Sequence, residues 1–492
     1  MNYKLSLNIQ KEILHHAFLS LSHPRQWETV SITRKRVILL IAFNAMLCII
    51  VYSCTFLRSP LVACIALGGL ALSWLVALYP WLTALLVFLC AGLPSLQIPL
   101  PGHTIRPVEI SLFLCILLIF FIRPRMQLKV PHVLALLFLA IAFISFLHAP
   151  ELSTNSTVFG ANKRLYNLLT ILLALFCGTF LVSCISNMSS FFTAVLISNI
   201  PLYLISVAQA FRVSLPSFLS PNQNPALTGD AGRLVGPFDG AATFGIYLTG
   251  LFAVSLSCSL LGACRRDRFI GTIMLFATIL ALVGSGTRSA LIAMGATLFV
   301  ALVMTKRFKL FLGFIALTLG GLAAFPNIIL SHFTHAETST SNRLFLWNEA
   351  LKLITSHPLI GIGLEQFHYY YDRLIISQST QLNQHGISVH NQYLEWGMEG
   401  GILWLALGVM FLLSIVILCG RSYFMANHQQ RIPLLAAMLT ALATVITGFL
   451  DVPFDDVEGG VFFCMVAGIA LGGTFYIRRS LRKYPLSSRS HS

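Results

Sequence analysis

The chain has 492 residues, of which 57% are hydrophobic and only 10% are charged. Roughly 25% of the residues in an ordinary soluble domain are charged, so this composition excludes such a domain and indicates a polytopic membrane protein. The formal net charge of +15 suggests nucleic-acid binding at first sight. In a membrane protein, however, positive charge first reports orientation, because cytoplasmic loops retain Lys and Arg.

Apolar runs predict about fourteen transmembrane helices, most of them close to the roughly 20 residues that cross a bilayer. The predicted fold class is therefore all-α, a polytopic membrane protein with one large extracytoplasmic loop. The predicted spans are 37–57, 60–78, 80–98, 107–122, 131–149, 165–185, 191–211, 240–262, 269–286, 288–305, 309–325, 396–420, 432–450 and 457–477.

The distribution of charge orients these spans. If Met1 starts inside, the inner segments hold 22 basic and three acidic residues, a net charge of +19, whereas the outer segments hold ten basic and 14 acidic residues, a net charge of −4. The spans around Tyr79-Pro80 could instead form one kinked segment, but the basic clusters downstream would then move outside, against the positive-inside rule. We therefore predict fourteen spans with both termini in the cytoplasm, a lipid bilayer as the environment and no nucleic-acid partner.

Five segments follow from this topology. They are a cytoplasmic N-terminal tail (1–36), a transmembrane region of about 11 helices (37–325), a large extracytoplasmic loop (326–395), a second transmembrane region of about three helices (396–477) and a basic cytoplasmic tail (478–492). No cleavable signal peptide is apparent, because the tail is polar and the first apolar run is long enough to span. All eleven cysteines lie within or at the ends of apolar runs, which predicts no disulfide framework.

Two isolated arginines stand at glycine-rich breaks on the outer side. Arg233 lies near the end of the segment 212–240, whose Pro, Gly and Asn content is typical of turns. Arg288 follows a Gly-Ser-Gly turn between two spans and has no acid next to it. Either side chain could anchor the protein at lipid headgroups. Two such arginines together favour binding of a phosphate, whose oxygens match the planar guanidinium group.

The outer loop contains an amphipathic helix. Its apolar positions recur at i, i+3, i+4 and i+7, with a cap before them and a stop after them. These positions are Trp347, Ala350, Leu351 and Ile354, the cap is Ser341 or Asn342, and the stop is Pro358 and Gly361. We expect this helix to lie on a membrane or protein surface.

His390 ends the loop, just before the next span. An isolated histidine there could be a satisfied interface residue, but its place between a polar loop and a helix favours proton transfer, with Asn391 as helix cap or orienting partner. The acids of the later stretch DVPFDDVEGG are predicted to be solvated loop charges. Asp455 and Asp456 could instead bind a divalent cation, although no other clear ligands accompany them.

The placement of ionisable residues favours surface chemistry over coupled transport. A proton- or ion-coupled transporter carries acids or histidines within its spans. Here the mid-span positions are almost bare, and the outer ionisable residues crowd at span ends. An uncoupled transporter of polysaccharide or lipid-linked glycan is the alternative from a different class.

Four stretches of the sequence resemble the O-antigen ligase and polymerase superfamily of bacterial membrane glycosyltransferases. They are GRLVGPFDGAATFGIYL, GSGTRSALIA, SNRLFLWNEALKLITSHPLIGIGLEQF and HNQYLEWGMEGGILWLA, which together cover about residues 232–407. Each motif alone is modest, but their order and spacing make the combination specific. The Pro-Asn that usually follows the Phe of the first motif is replaced here by Asp239-Gly240.

The resemblance implies a fold similar to GT-C-type membrane glycosyltransferases and a glycan donor carried by undecaprenyl pyrophosphate. By this resemblance, Arg233 and Arg288 match the arginines that hold the pyrophosphate, and His390 matches the histidine that activates the acceptor. Arg343 and Asn391 are further candidates for substrate binding. No metal or other cofactor is expected, because the arginines carry the positive charge. A single displacement by the acceptor hydroxyl would invert the anomeric configuration.

Ligases, polymerases and protein O-glycosylating enzymes of this superfamily share the donor and differ in the acceptor, which is lipid A-core, a second lipid-linked glycan or a protein. We place the ligase first, because one long loop precedes the HN motif and no soluble domain is appended. A polymerase of O-antigen or exopolysaccharide is the close alternative. The expected location is the bacterial inner membrane, with transfer at its outer face as part of lipopolysaccharide biosynthesis.

Overall fold

The computed structural model describes residues 80–96, 98–100, 103–122, 128–148, 155–216, 219, 233–307, 309, 337–370 and 388–483. The predicted tail 1–36, the predicted spans 37–57 and 60–78 and, apart from its first residue, the predicted span 309–325 lie outside these described residues.

In the first part of the described chain, apolar helices flank a β-hairpin. The elements are α1 (Pro80–Ala91), β1 (Ile98–Leu100), β2 (His103–Ile105), α2 (Pro107–Ile122) and α3 (Val130–His148). The two strands are antiparallel, with Ile98 opposite Ile105. The predicted span 80–98 is therefore wrong at its end. The helix stops at Ala91 because Pro94 and Pro99 follow, and proline lacks the N–H that a helix requires.

The middle of the chain is a series of longer helices. They are α4 (Asn155–Leu181), which continues into a 3₁₀ turn (Val182–Cys184), α5 (Met188–Ser198), α6 (Ile200–Ala210), α7 (Ala241–Leu261), α8 (Arg265–Ser285) and α9 (Arg288–Met304). The predicted span 191–211 consists of two consecutive helices. The break falls at Asn199, because Pro201 occupies the first turn of α6 and favours a new helix start there.

The last part contains the loop helices and three long apolar helices. They are α10 (Glu337–Ser356), α11 (Phe367–Tyr370), α12 (Gln392–Met425), α13 (His428–Thr447) and α14 (Val457–Lys483). α10 is the amphipathic helix expected in the loop, but it begins at Glu337, before the predicted cap at Ser341 or Asn342. On its apolar face Ala350 is buried, whereas Leu351 is 50% exposed.

Within the described residues, eight helical segments are long and apolar enough to cross a membrane. Each of them coincides with a predicted span, so the prediction of an all-α polytopic membrane protein is confirmed. Three shorter apolar helices, α1, α2 and α9, coincide with three further predicted spans. α7 and the segment Val457–Thr474 of α14 are the most deeply buried of these segments, since almost all of their residues pack against neighbouring helices.

Small residues let α4 and α14 approach closely. The glycines of the Gly468-x-x-x-Gly472 pattern lie on one face of α14, as is typical of tight helix contacts in membranes. A Cβ at Gly468 would lie 2.2 Å from the carbonyl oxygen of Leu175, and a Cβ at Gly178 would lie 2.5 Å from that of Met465. This contact fixes α14, and with it the loop that precedes α14, against α4.

Two contacts join residues that the predicted topology puts on the same side of the membrane. At the start of α8, Asp267 accepts a 2.6 Å hydrogen bond from Ser189, another residue predicted to lie inside. At the end of α8, the carbonyl oxygen of Ser285 accepts a hydrogen bond from Arg233, a residue predicted to lie outside. The candidate site residues lie at this second end.

Candidate active site

His390 lies where the loop meets the N-terminus of α12. Its φ angle is 49°, in the left-handed region that residues other than glycine rarely adopt. The indole N–H of Trp347 on α10 donates a 3.0 Å hydrogen bond to the carbonyl oxygen of Val389. The backbone N–H of His390 donates to the hydroxyl of Ser388 at 3.3 Å. The amphipathic helix therefore helps to hold the backbone that carries this imidazole.

Asn391 is the N-cap of α12, which is one of the two roles expected for it. Its side-chain oxygen accepts hydrogen bonds from the backbone N–H groups of Tyr393 and Leu394 at 3.0 and 3.1 Å. Such a cap satisfies N–H groups that have no partner within the helix. Its side-chain nitrogen donates to the carbonyl oxygen of Phe449 at 3.1 Å. Asn391 thus joins the start of α12 to the loop between α13 and α14.

The HPLIGIG stretch of the loop, residues 357–363, crosses α12 at a break in that helix, and we call it the crossing segment. The break is at Gly401, whose φ of 75° is not helical. The backbone N–H groups of Ile362 and Gly363 donate to the carbonyl oxygens of Met398 and Glu399 at 2.8 and 3.0 Å. Backbone hydrogen bonds therefore pair the third and fourth motif stretches in the first third of α12, the helix that follows His390.

The first and second motif stretches are paired in the same way. The backbone N–H of Leu234 donates to the carbonyl oxygen of Gly284 at 2.9 Å. Arg233 donates through Nε to the carbonyl oxygen of Ser285 at 2.7 Å and through Nη2 to the hydroxyl of Thr287 at 3.2 Å. Arg288 follows as the exposed first residue of α9. Both arginines predicted from the sequence therefore lie at the junction of α8 and α9.

Asp451 connects the two halves of the site. Its carboxylate accepts a hydrogen bond from Ser289, the neighbour of Arg288. Burial raises the pKa of the Asp451 carboxyl, and the Ser289 hydrogen bond and the charges of Arg343, His390 and Arg233 oppose this rise. Arg343 also donates to the carbonyl oxygen of Leu450 at 3.0 Å. Residues from all four motif stretches therefore meet at this carboxylate.

The imidazole of His390 is held in an environment that disfavours its charged form. Burial lowers the pKa of His390, and the positive charge of Arg343 lowers it further, while Asp451 and Asp455 act in the opposite direction. A histidine with a pKa below its ordinary value is neutral at physiological pH, and a neutral imidazole can accept a proton. The environment of His390 therefore suits a general base.

His390 opens into a cavity of about 260 Å³. Five of the fourteen residues that line the cavity are acidic, and most of the others are apolar. Its lining includes Arg106, Phe238, Asp239, Ile246, His390, Asp451, Asp455, Asp456 and Glu458. Arg233, Arg288 and Arg343 do not line it. The histidine thus stands at the edge of this cavity, and Arg343, the cation that acts on it, lies outside the lining.

The prediction that the acids of DVPFDDVEGG are solvated is wrong. Asp451 and Glu458 are each only 6% exposed. Asp455 pairs with Arg164 at 2.5 Å, and Glu458 pairs with Arg106 at 3.7 Å. Both arginines come from segments hundreds of residues earlier, so no local pattern indicates the pairing. In the part of the chain that the structure describes, no group of three or more His, Cys, Asp or Glu side chains is arranged to hold a metal.

Sequence reasoning therefore missed the structural roles of Asp451 and Arg164. A signal was present for the first, because four acids fall within eight positions, 451–458, of a chain with only 17 acids in all. Such a concentration next to two apolar helices indicates a shared polar site rather than solvated charges. For Arg164, the sequence shows only a basic residue near the start of an apolar helix.

The fold and this group of residues define a multi-span α-helical membrane protein with a charged site at the ends of its helices. Residues 273–407 match the family model described as O-antigen ligase. This match supports the resemblance to the O-antigen ligase and polymerase superfamily, whose members are glycosyltransferase-like enzymes. The matched range contains Arg288, Arg343 and His390, whereas Arg233 and Asp451 lie outside it. None of the curated proteins compared matches the chain.

Proposed function

We propose that the protein is an O-antigen ligase-like glycosyltransferase. It moves a glycan from undecaprenyl pyrophosphate to a hydroxyl of a lipid A-core acceptor at the outer face of the bacterial inner membrane. The observation that carries this proposal is that Arg233, Arg343 and His390, from three motif stretches, lie within electrostatic range of one buried carboxylate, Asp451.

His390 serves as the general base. Its neutral imidazole takes the proton of the acceptor hydroxyl as the hydroxyl oxygen attacks the anomeric carbon of the donor sugar. The bond between that carbon and the pyrophosphate oxygen breaks, and undecaprenyl pyrophosphate leaves with the electron pair. One displacement of this kind inverts the anomeric configuration. The lowered pKa of His390 supports this role, because the base form is then present at neutral pH.

The arginines stabilise the leaving group. Negative charge grows on the pyrophosphate as the glycosidic bond breaks, and fixed positive charge nearby lowers the energy of that transition state. Arg233 and Arg288 both belong to the junction of α8 and α9, and Arg343 is the cation that acts on His390. Arginine stays charged at any physiological pH, so these residues supply the positive charge without a metal.

The cavity beside His390 receives the acceptor. Carboxylate oxygens accept hydrogen bonds from sugar hydroxyls, and the wall carries five Asp and Glu side chains. The same wall repels an anion such as pyrophosphate. We therefore assign the acceptor sugar to the cavity and the donor pyrophosphate to the side of the three arginines, with His390 between them.

Transfer by the purified protein, measured with a fluorescent undecaprenyl-pyrophosphate-linked glycan and lipid A-core, tests the assignment. His390→Ala should lower the rate by about 10²–10⁴-fold, the usual contribution of a general base, while binding of the donor persists. Arg233→Ala should weaken both donor binding and transfer. Arg421→Ala, at the exposed end of α12 remote from the site, is the matched control and should resemble wild type. A His390→Ala protein that transfers at the wild-type rate would overturn the proposal.

The identity of the acceptor is tested in cells. In a strain that lacks the protein, loss of all long glycan from lipid A-core together with accumulation of lipid-linked polymer indicates a ligase. Lipid A-core that carries only single glycan repeats indicates a polymerase instead. A transporter predicts a third result, in which His390→Ala still restores the normal lipopolysaccharide banding.

A further inference from the structure

The most highly connected charged side chain among the described residues is Arg164 on α4. It is buried, with only 6% of its side chain exposed. The guanidinium group meets four carboxylates from different segments. The distances are 2.8 Å from Nη2 to Glu395, 3.1 Å from Nε to Glu399, 3.4 Å from Nη1 to Glu365 and 2.5 Å from Nη1 to Asp455. A single cation therefore faces four acids.

The four acids come from α12, from the residues that follow the crossing segment and from the loop between α13 and α14. Asp455 lines the cavity directly. Glu395 accepts a 2.9 Å hydrogen bond from the side chain of Gln392, which in turn accepts a 2.8 Å hydrogen bond from the backbone N–H of Phe454. Glu399 lies at the break in α12 and accepts a 3.1 Å hydrogen bond from the backbone N–H of Glu365. Arg164 thus joins α4 to the start of α12, to the end of the crossing segment and to the cavity wall.

Asp455 also acts on His390. The charged groups around the imidazole are Arg343 from α10 and Asp451 and Asp455 from the loop between α13 and α14, and the shared cavity is further lined by Arg106, Asp239, Asp456 and Glu458. The arginine at 2.5 Å partly offsets the charge of this carboxylate. Without that arginine, the same carboxylate would attract an imidazolium.

We propose that Arg164 is a positioning residue for glycan transfer, which pairs with the Asp455 carboxylate in the cavity shared with His390, offsets part of its charge and so keeps the imidazole free to act as a base. The inference rests on the proposed function, because it concerns the same histidine. Arg164 does not touch the reacting atoms in this account. It acts through Asp455, and through the two glutamates that fix the start of α12.

The dependence of kcat/KM on pH tests this role, since its acidic limb reports the base of the free enzyme. In Arg164→Gln the released Asp455 stabilises the protonated imidazole, so the limb should move to higher pH by about one unit, the change that a nearby unpaired charge commonly produces. Adding Asp455→Asn to this variant should return the limb towards its wild-type position. Arg164→Lys retains a cation and should shift it less.

Arg431→Gln is the matched control, because Arg431 is also a partly buried arginine but contacts Tyr423 and Ala426 at the other end of the helices. Its pH profile should equal that of wild type. An Arg164→Gln protein that folds and has an unmoved acidic limb would overturn the inference, as would a shift that Asp455→Asn does not reverse. Loss of stability alone does not shift the acidic limb of the kcat/KM profile. The pH profiles therefore separate a positioning role from a merely structural one.

If Arg164→Gln does not fold, the single variant Asp455→Asn decides the question. It removes one carboxylate that favours the imidazolium and keeps the other three partners of Arg164, so the acidic limb should move to lower pH. An unchanged limb would again overturn the inference. A different result would overturn the proposed function itself, namely a His390→Ala protein that retains transfer.

Discussion

Gly361 in the crossing segment offers a direct test of how the loop is locked onto α12. Its φ is 75°, and a Cβ there would lie 2.4 Å from the carbonyl carbon of Glu399. Because ordinary contact begins at 3.4 Å, the crossing segment would have to retreat by about 1 Å in Gly361→Ala. The hydrogen bonds of Ile362 and Gly363, now 2.8 and 3.0 Å, would then exceed bonding distance.

The expected loss of stability follows from these two effects. A non-glycine residue in the left-handed region costs about 1–2 kcal/mol, and each lost backbone hydrogen bond costs about 0.5–1.5 kcal/mol. Gly361→Ala should therefore lower the free energy of unfolding by about 2–5 kcal/mol. Transfer should fall as well, because the crossing segment supports the helix that begins beside His390.

Thermal unfolding in detergent measures the effect. The matched control is Gly295→Ala in α9, where no atom lies within 4 Å of the added Cβ and alanine favours the helix by about 0.5–1 kcal/mol. We expect a clearly lower Tm for Gly361→Ala and an unchanged or raised Tm for Gly295→Ala. Equal Tm values for Gly361→Ala and wild type would refute the reasoning.

Three further pairs of substitutions test other parts of the account. Because the φ of His390 is 49°, His390→Gly should be about 1 kcal/mol more stable than His390→Ala, which reverses the usual order. Transfer should be lost in both variants. A higher Tm for His390→Ala than for His390→Gly would contradict the backbone conformation assigned to His390. Asn391→Ala removes the cap of α12 and should cost about 1–2 kcal/mol in the free energy of unfolding, whereas Asn391→Asp keeps the acceptor and should cost less. Gly468→Leu should separate α14 from α4 and lower the amount of folded protein in membranes. Gly473→Leu is the control and should leave that amount unchanged, because no atom lies within 4 Å of a Cβ at Gly473. Equal amounts of folded protein for the two variants would argue against the close contact of α14 with α4.

The membrane architecture was largely predictable, because it depends on local composition. A long apolar run has few options other than a helix in a bilayer, and each of the eight long segments falls where a span is expected. The errors are also local in origin. Pro94 shortens the first described helix and Pro201 divides another, and in both cases a hydropathy window averages over the proline.

The candidate site was only partly predictable, because its geometry depends on contacts between distant segments. The resemblance named Arg233, Arg288 and His390, and the structure brings their neighbourhoods together at Asp451. The carboxylate itself was read as solvated, because the residues that act on it, Ser289 and Arg343, lie in distant segments of the sequence. Arg164 lies 291 positions before Asp455, its partner at 2.5 Å, so no spacing rule could pair them.

The most direct test of the central claim is glycan transfer by purified protein in which Arg233, Arg288 and His390 are all replaced by alanine. The measurement compares the initial rate of product formation with that of wild type and of the Arg421→Ala control, at equal amounts of folded protein. The account predicts that no transfer is detected in the triple variant while the control is fully active. Transfer at a rate near that of wild type would contradict it.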